Sequence, residues 1–207
     1  VFEYKEGSAN CNFLLADEIN RASSKTQSSL LEVMEERQIT VDGITHKVPE
    51  PFMVLATQNP IESKGTNKLP EAQMDRFLFK LSIGYPSREG EREILNRFAG
   101  ENPLKSLKPV ATTGEIIRLQ NQVEEVKVSE EIKDLIIAIV SYTRSNVNLD
   151  LGVSPRGSIA LLKVSKASAF IKSRDYVLPE DVADIALDVL SHRVILSSNA
   201  RVKGITA

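Results

Sequence analysis

Hydrophobic positions follow two different patterns along the 207-residue chain. Through residue 86, short apolar runs alternate with turn signals. Asn12-Phe13-Leu14-Leu15-Ala16 and Pro51-Phe52-Met53-Val54-Leu55-Ala56-Thr57 are nearly unbroken. Such runs predict strands buried on both faces, as in a parallel sheet covered by helices. Phe77-Leu78-Phe79-Lys80-Leu81-Ser82-Ile83 predicts a third strand, and Phe2-Glu3-Tyr4-Lys5 alternates like another. Between the first two runs, Ser24-Lys25-Thr26-Gln27 has the spacing of a capping box. It opens a helix that puts Leu30, Leu31 and Met34 on one face. Ile39-Thr40-Val41 and Ile44-Thr45-His46-Lys47-Val48 then flank Asp42-Gly43, a strong hairpin signal. This order of elements is an α/β arrangement.

From residue 87 the period becomes helical. Ser87 caps a helix carrying Ile94, Leu95 and Phe98; Thr112 and Glu115 form a second capping box before Ile116, Ile117 and Leu119. Ser129 precedes Glu130 and Glu131, which suit the positive end of a helix dipole, and Ile132, Leu135, Ile136, Ile139 and Val140 follow at helical spacing. Ser154-Pro155 and Pro179-Glu180-Asp181 open two more helices. Proline disfavours helix in the residue before it, so Tyr85-Pro86-Ser87 is the expected joint. The expected division is an α/β part at residues 1–86 and an all-α part of four or five helices at residues 87–207.

Composition narrows the class. Lys and Arg number 26 against 28 Asp and Glu, a net charge of −2, so nothing draws the whole chain toward nucleic acid or anionic lipid. One cysteine, Cys11, excludes an internal disulfide framework. No run approaches the roughly 20 apolar residues that span a bilayer, and no signal peptide is visible, so a cytoplasmic protein is expected. The chain begins at Val1 in mid-pattern and reads as part of a longer polypeptide.

Four stretches carry candidate chemistry. Leu14-Leu15-Ala16-Asp17-Glu18 ends an apolar strand in two carboxylates, which suits a metal-bound phosphate and an attacking water. Taken alone it is also an ordinary acidic turn. Val54 to Pro60 ends a second strand with the amide Asn59, suited to a γ-phosphate or the same water, or simply to a turn. Pro70-Glu71-Ala72-Gln73-Met74-Asp75-Arg76-Phe77 puts Arg76 at a helix-to-strand junction, where a guanidinium can meet phosphate oxygens or pair with Asp75 or Glu71. Ser154-Pro155-Arg156-Gly157 puts Arg156 in a helix's first turn, among free backbone N–H groups.

Their order is more specific than any one of them. Residues 14–22, 55–62, 69–77 and 154–156 together resemble the MoxR family of AAA+ ATPases, over about residues 2–196. The resemblance implies a partial AAA+ P-loop NTPase core, with a parallel sheet, helices and a β-hairpin, followed by an all-α lid. It implies that Asp17 and Glu18 are the Walker B pair, Asp17 for Mg²⁺ and Glu18 for the catalytic water. Asn59 would be sensor 1, Arg76 an arginine finger acting on the neighbouring subunit's nucleotide, and Arg156 sensor 2. The hairpin at 39–48 resembles the pre-sensor-1 hairpin, and Phe2–Lys5 the returning strand of the helix-2 insert. ATP and Mg²⁺ are the implied cofactors. The implied assembly is a hexameric ring that remodels or activates protein partners, among them von Willebrand A domain proteins, or assists metal insertion.

One family motif is missing: no G-x-x-x-x-G-K-[ST] occurs, Lys64-Gly65-Thr66 being the nearest imitation. It is expected upstream of Val1. The alternative function is therefore a non-catalytic binding or assembly module. A nucleic-acid motor or clamp loader shares the core, but the net charge and the lack of aromatic–basic interleaving count against it. Cys11 is expected to be partly buried and His46 solvated. His192, beside Arg193, suits a helix C-terminus. Lys163, Lys166, Lys172 and Arg174 are expected to form a solvated face.

Overall fold

The structure is a computed structural model that describes residues 7–59, 69–100 and 102–206. The expected strand at Phe2–Lys5 lies outside the described residues.

Strand β1 (Phe13–Ala16) pairs in parallel with β4 (Met53–Ala56), in register from Phe13 opposite Met53 to Ala16 opposite Ala56. Helix α1 (Ser24–Glu36) and the hairpin β2 (Gln38–Val41) to β3 (Ile44–Lys47) connect them. The turn is as the sequence predicts: Asp42 and Gly43 both adopt positive φ, 50° and 78°, which a two-residue hairpin of this type requires. The cap of α1 shifts by one residue. Ser23, not Ser24, accepts from the Thr26 amide, and the Gln27 side chain turns away to donate to the Ile19 carbonyl.

Only one face of the β1/β4 ribbon is covered. Leu14 and Val54 pack on Val33, Val48 and Phe52, while Phe13, Leu15, Met53 and Leu55 alternate onto a face that is about half or more exposed. Burial on both faces is therefore not seen among the described residues. The predicted strand at 77–83 also fails to form. A strand needs a ladder partner for its backbone groups, and no third strand lies beside β1 and β4 among the described residues. The Lys80 amide instead donates to the Asp188 carbonyl.

After the short helix α2 (Glu71–Met74), α3 (Arg88–Phe98) starts at Ser87 as predicted. Its apolar stripe is uncovered, with Leu95 and Phe98 both about two-thirds exposed. Helix α4 (Thr113–Glu124) begins with the expected reciprocal box. The Thr112 amide donates to Glu115 (2.7 Å), and the Glu115 amide donates to the Thr112 hydroxyl (3.3 Å). The main core then lies between α5 (Glu130–Ser145), α6 (Pro155–Ile171) and α7 (Pro179–Leu190), centred on Val140, Leu161, Ala169, Val182 and Val189. The all-α expectation needs one addition. Strand β5 (Leu149–Leu151) pairs antiparallel with β6 (Ile195–Leu196), just before the closing helix α8 (Ser198–Val202). No helix among the described residues is long and apolar enough to cross a membrane.

Two of the predicted surface cations are engaged at a buried charge. Asp181 is fully buried, and accepts two hydrogen bonds from Arg174 (2.6 and 2.7 Å) and one each from Lys172, Ser168 and the Leu178 amide. The last of these satisfies a free amide at the start of α7.

Candidate active site

The parallel register brings the ends of β1 and β4 side by side, so the residues following each strand meet at one edge. The Thr57 amide donates to the Ala16 carbonyl, extending the ladder by one step. The Thr57 hydroxyl then joins both acids: it donates to Asp17 Oδ1 (2.5 Å) and accepts from the Glu18 amide (2.8 Å). The Glu18 backbone is left-handed, with φ 47°, a conformation costing on the order of 1 kcal/mol for a non-glycine residue. The Glu18 carboxylate is shared. Asn59 Nδ2 reaches Oε1 at 3.5 Å, and Arg21 Nε pairs with Oε2 at 2.9 Å. Asn20, which is buried, donates to the Asn59 carbonyl at 3.4 Å. Asp17, Glu18 and Asn59, picked out separately in the sequence, thus form one cluster around Thr57.

Arg76 and Arg156 form a second cluster. Gln27 fixes the first turn of α1 beside Ile19, and Glu35 lies eight residues further along that helix, about 12 Å at 1.5 Å per residue. There the Glu35 carboxylate takes both arginines, pairing with Arg76 through Oε2 and with Arg156 Nη2 through Oε1 (2.6 Å). Arg156 Nη1 also lies 4.0 Å from Asp75 Oδ2.

Asp75 itself is held from across the molecule. Its Oδ1 accepts from Arg193 Nε (2.9 Å) and its Oδ2 from the Ser154 hydroxyl (2.9 Å). Ser154 therefore makes no side-chain cap on α6, contrary to the sequence reading. The Arg193 side chain is almost wholly buried and also donates to the carbonyls of Asp75, Phe77 and Leu78. Burial draws its guanidinium below the usual arginine range, with Asp75 opposing the shift. His192 is buried beside it, with Nε2 2.9 Å from the Phe77 carbonyl, and burial lowers its pKa. Gly157 makes this packing possible. A Cβ there would lie 2.3 Å from Val153 Cγ1 and 3.0 Å from Arg193 Cδ.

Sequence reasoning missed Thr57, Glu35, Asp75 and Arg193 as parts of the site. Thr57 and Asp75 lie inside the motif stretches, but the partners of Asp75 lie 79 and 118 positions away. Glu35 has no local signature at all.

The first cluster can accommodate a hard cation together with phosphate. Asp17 offers carboxylate oxygens at the exposed strand tip, and Mg²⁺ typically takes one or two carboxylates, with phosphate and water completing its shell. Among the described residues no three acidic, His or Cys side chains gather as a metal site, so the remaining ligands would come from nucleotide and solvent.

Comparisons with known proteins place the chain in a family. The model of the ATPase family associated with various cellular activities (AAA) matches residues 1–79, and that of the AAA lid domain matches residues 141–207. The chain is 50% identical over 206 residues to the uncharacterized protein YeaC of Bacillus subtilis, covering 100% of this chain and 64% of YeaC. It is 44% identical over 208 residues to the chaperone MoxR1 of Mycobacterium tuberculosis, covering 96% of this chain and 55% of MoxR1. The crystal structure of a candidate ATPase from Cytophaga hutchinsonii aligns with a TM-score of 0.93 at 40% identity, over 99% of this chain and 64% of that one. The chain therefore spans between 55% and 64% of the length of these relatives. Similarity to ATPases and to a chaperone does not favour the non-catalytic module. The chain belongs to the MoxR family of AAA+ ATPases.

Proposed function

We propose that this chain carries the Walker B edge and the lid of a ring ATPase that couples ATP hydrolysis to chaperone-like remodelling, activation or metal-cofactor assembly of partner proteins. The observation that carries this reading is the Thr57-centred cluster. One hydroxyl holds Asp17 and Glu18 side by side, and Asn59 reaches the Glu18 carboxylate from the neighbouring strand tip. In this reading residues 1–86 belong to the ATPase core and residues 87–207 to the lid.

Asp17 would hold Mg²⁺ through the nucleotide, and the cation would neutralise phosphate charge. Glu18 orients and deprotonates the attacking water, and Asn59 fixes the Glu18 carboxylate toward it. Arg76 and Arg156 converge on Glu35, eight residues beyond Gln27 on α1 and apart from the contacts of the Thr57 cluster. They act as a pair on the nucleotide of the next subunit in a hexameric ring, Arg76 as arginine finger and Arg156 as sensor 2. Partners carrying von Willebrand A domains and a cytoplasmic location complete the reading.

The test uses the full-length protein. Glu18→Gln should lower ATP turnover about 100-fold or more, the usual contribution of a positioned base, and unchanged turnover would refute the assignment. Mixing Arg76→Ala with Glu18→Gln protomers should restore activity, because about a quarter of the interfaces in a randomly mixed ring pair an intact Glu18 with an intact Arg76. No restoration would remove the intersubunit role of Arg76.

A further inference from the structure

The two arginines assigned to phosphate already hold an anion. Arg76 and Arg156 come from different elements, one after α2 and one in the first turn of α6, yet Arg156 donates to one oxygen of the Glu35 carboxylate and Arg76 pairs with the other. Two guanidiniums converging on one planar oxyanion is an arrangement that also binds phosphate. Asp75 is the weaker partner: Arg156 Nη1 lies 4.0 Å from its Oδ2, against 2.6 Å from Arg156 Nη2 to Glu35, and Arg193 and Ser154 already donate to it. All three side chains of the Glu35 set are partly exposed, at 36% for Glu35, 33% for Arg76 and 46% for Arg156. Pairs of that exposure exchange readily with other ions.

The position of Glu35 adds a second argument. It lies in the last turn of α1, which holds no basic residue. An anion there opposes the helix dipole, so α1 itself gives Glu35 no compensation. The carboxylate depends on the two arginines from outside its helix.

We infer that Glu35 is an internal stand-in for phosphate: it occupies the Arg76–Arg156 pair, and the neighbouring subunit's nucleotide must displace it before the arginines can act. This rests on the assignment of both arginines to phosphate. Glu35 is thus a competitor for the arginines and sets how much nucleotide is needed to recruit them.

The test is steady-state ATPase kinetics on the full-length protein carrying Glu35→Gln, which keeps the shape and removes the charge. The apparent KM for ATP should fall about three- to tenfold, the scale of two partly exposed ion pairs, with kcat held within about twofold. Glu35→Asp retains the charge and should keep KM nearer the wild-type value. Glu35→Gln should likewise lower the Kd for ATP measured by equilibrium titration, and that shift should vanish when Arg76 and Arg156 are both changed to Ala. An unchanged or raised KM would overturn the inference, as would a fall in kcat alone, which would make Glu35 a scaffold instead of a competitor. A Kd shift that persists without the arginines would overturn it too. If instead Arg76→Ala and Arg156→Ala keep wild-type turnover while Glu18→Gln abolishes it, the arginine assignment itself has failed and the inference falls with it.

Discussion

The region around β1 and β4 and the lid around α6 carry equally clear apolar patterns, yet the lid core around α6 encloses its pattern while the described β1/β4 ribbon covers one face. In the lid, Leu161, Val182 and Val189 are completely buried, and Asp181, the one fully buried acid among the described residues, is matched by cations and donors. In the β1/β4 region the covered face closes on Val33, Val48 and Phe52, while the other face presents Phe13, Leu15, Met53 and Leu55 to solvent. Helix α3 presents Leu95 and Phe98 the same way. An amphipathic pattern specifies which side of an element wants cover, and says nothing about what provides it. Stability should accordingly be uneven, with the lid as the cooperative unit.

The largest expected effect tests that directly. Leu161→Ala should cost about 3–4 kcal/mol, the transfer loss plus a cavity in a packed site. Leu15→Ala, on the open face, should change stability by no more than about 0.5 kcal/mol in this chain. Denaturant unfolding monitored by circular dichroism measures both. Equal costs would abolish the distinction between the two regions. A Leu15→Ala cost that rises in the full-length protein would sharpen it, by showing that the face is covered there.

Charge gives the next contrast. Arg174 holds the Asp181 carboxyl well below the usual carboxylate range, with the Leu178 amide, Lys172 and Ser168 adding to the effect and burial opposing it. The folded pKa is therefore lower than the unfolded value near 4. The stabilisation from Asp181 is fully present above about pH 4 and is lost as pH falls from there toward the folded value. Asp181→Asn should cost about 2 kcal/mol at neutral pH, because the buried carboxylate gives up its charge-assisted hydrogen bonds from Arg174 and Lys172, and should flatten the acid limb of the stability profile. Neutralising the exposed Glu35 should cost less than about 1 kcal/mol, even where it shifts KM. Urea midpoints measured from pH 7 to pH 3 on both variants would decide. An Asp181→Asn midpoint that falls with acid as steeply as wild type would move the acid sensitivity elsewhere.

The sequence makes local features legible and leaves distant ones hidden. The Asp42-Gly43 hairpin and the Thr112–Glu115 box complete themselves within ten residues, so their patterns predict them correctly. Asp17, Glu18 and Asn59 were legible as strand tips, because parallel pairing of two apolar runs brings their ends together. The 77–83 segment has strand composition, but a strand exists only with a partner, and its own residues do not supply one. Glu35 resembles any exposed helical acid until Arg76 and Arg156 arrive from 41 and 121 positions away.

Ser154 is where the two regions meet, and it carries the smallest of these effects. The sequence reads it as the cap of α6; the structure instead gives its hydroxyl to Asp75, which Arg193 grips from the other side. Ser154→Ala should cost about 1 kcal/mol under either reading, so alanine cannot distinguish them. Ser154→Asp can. Aspartate caps a helix as well as serine does, so a capping role predicts stability at or above wild type. A carboxylate placed against Asp75 Oδ2 replaces a donor with a like charge, so the observed contact predicts a loss greater than that of alanine. Thermal melts of the two variants, side by side, read the order. Aspartate more stable than alanine would return Ser154 to its helix, and Arg193 would then be left as the lid's hold on the loop that carries Arg76.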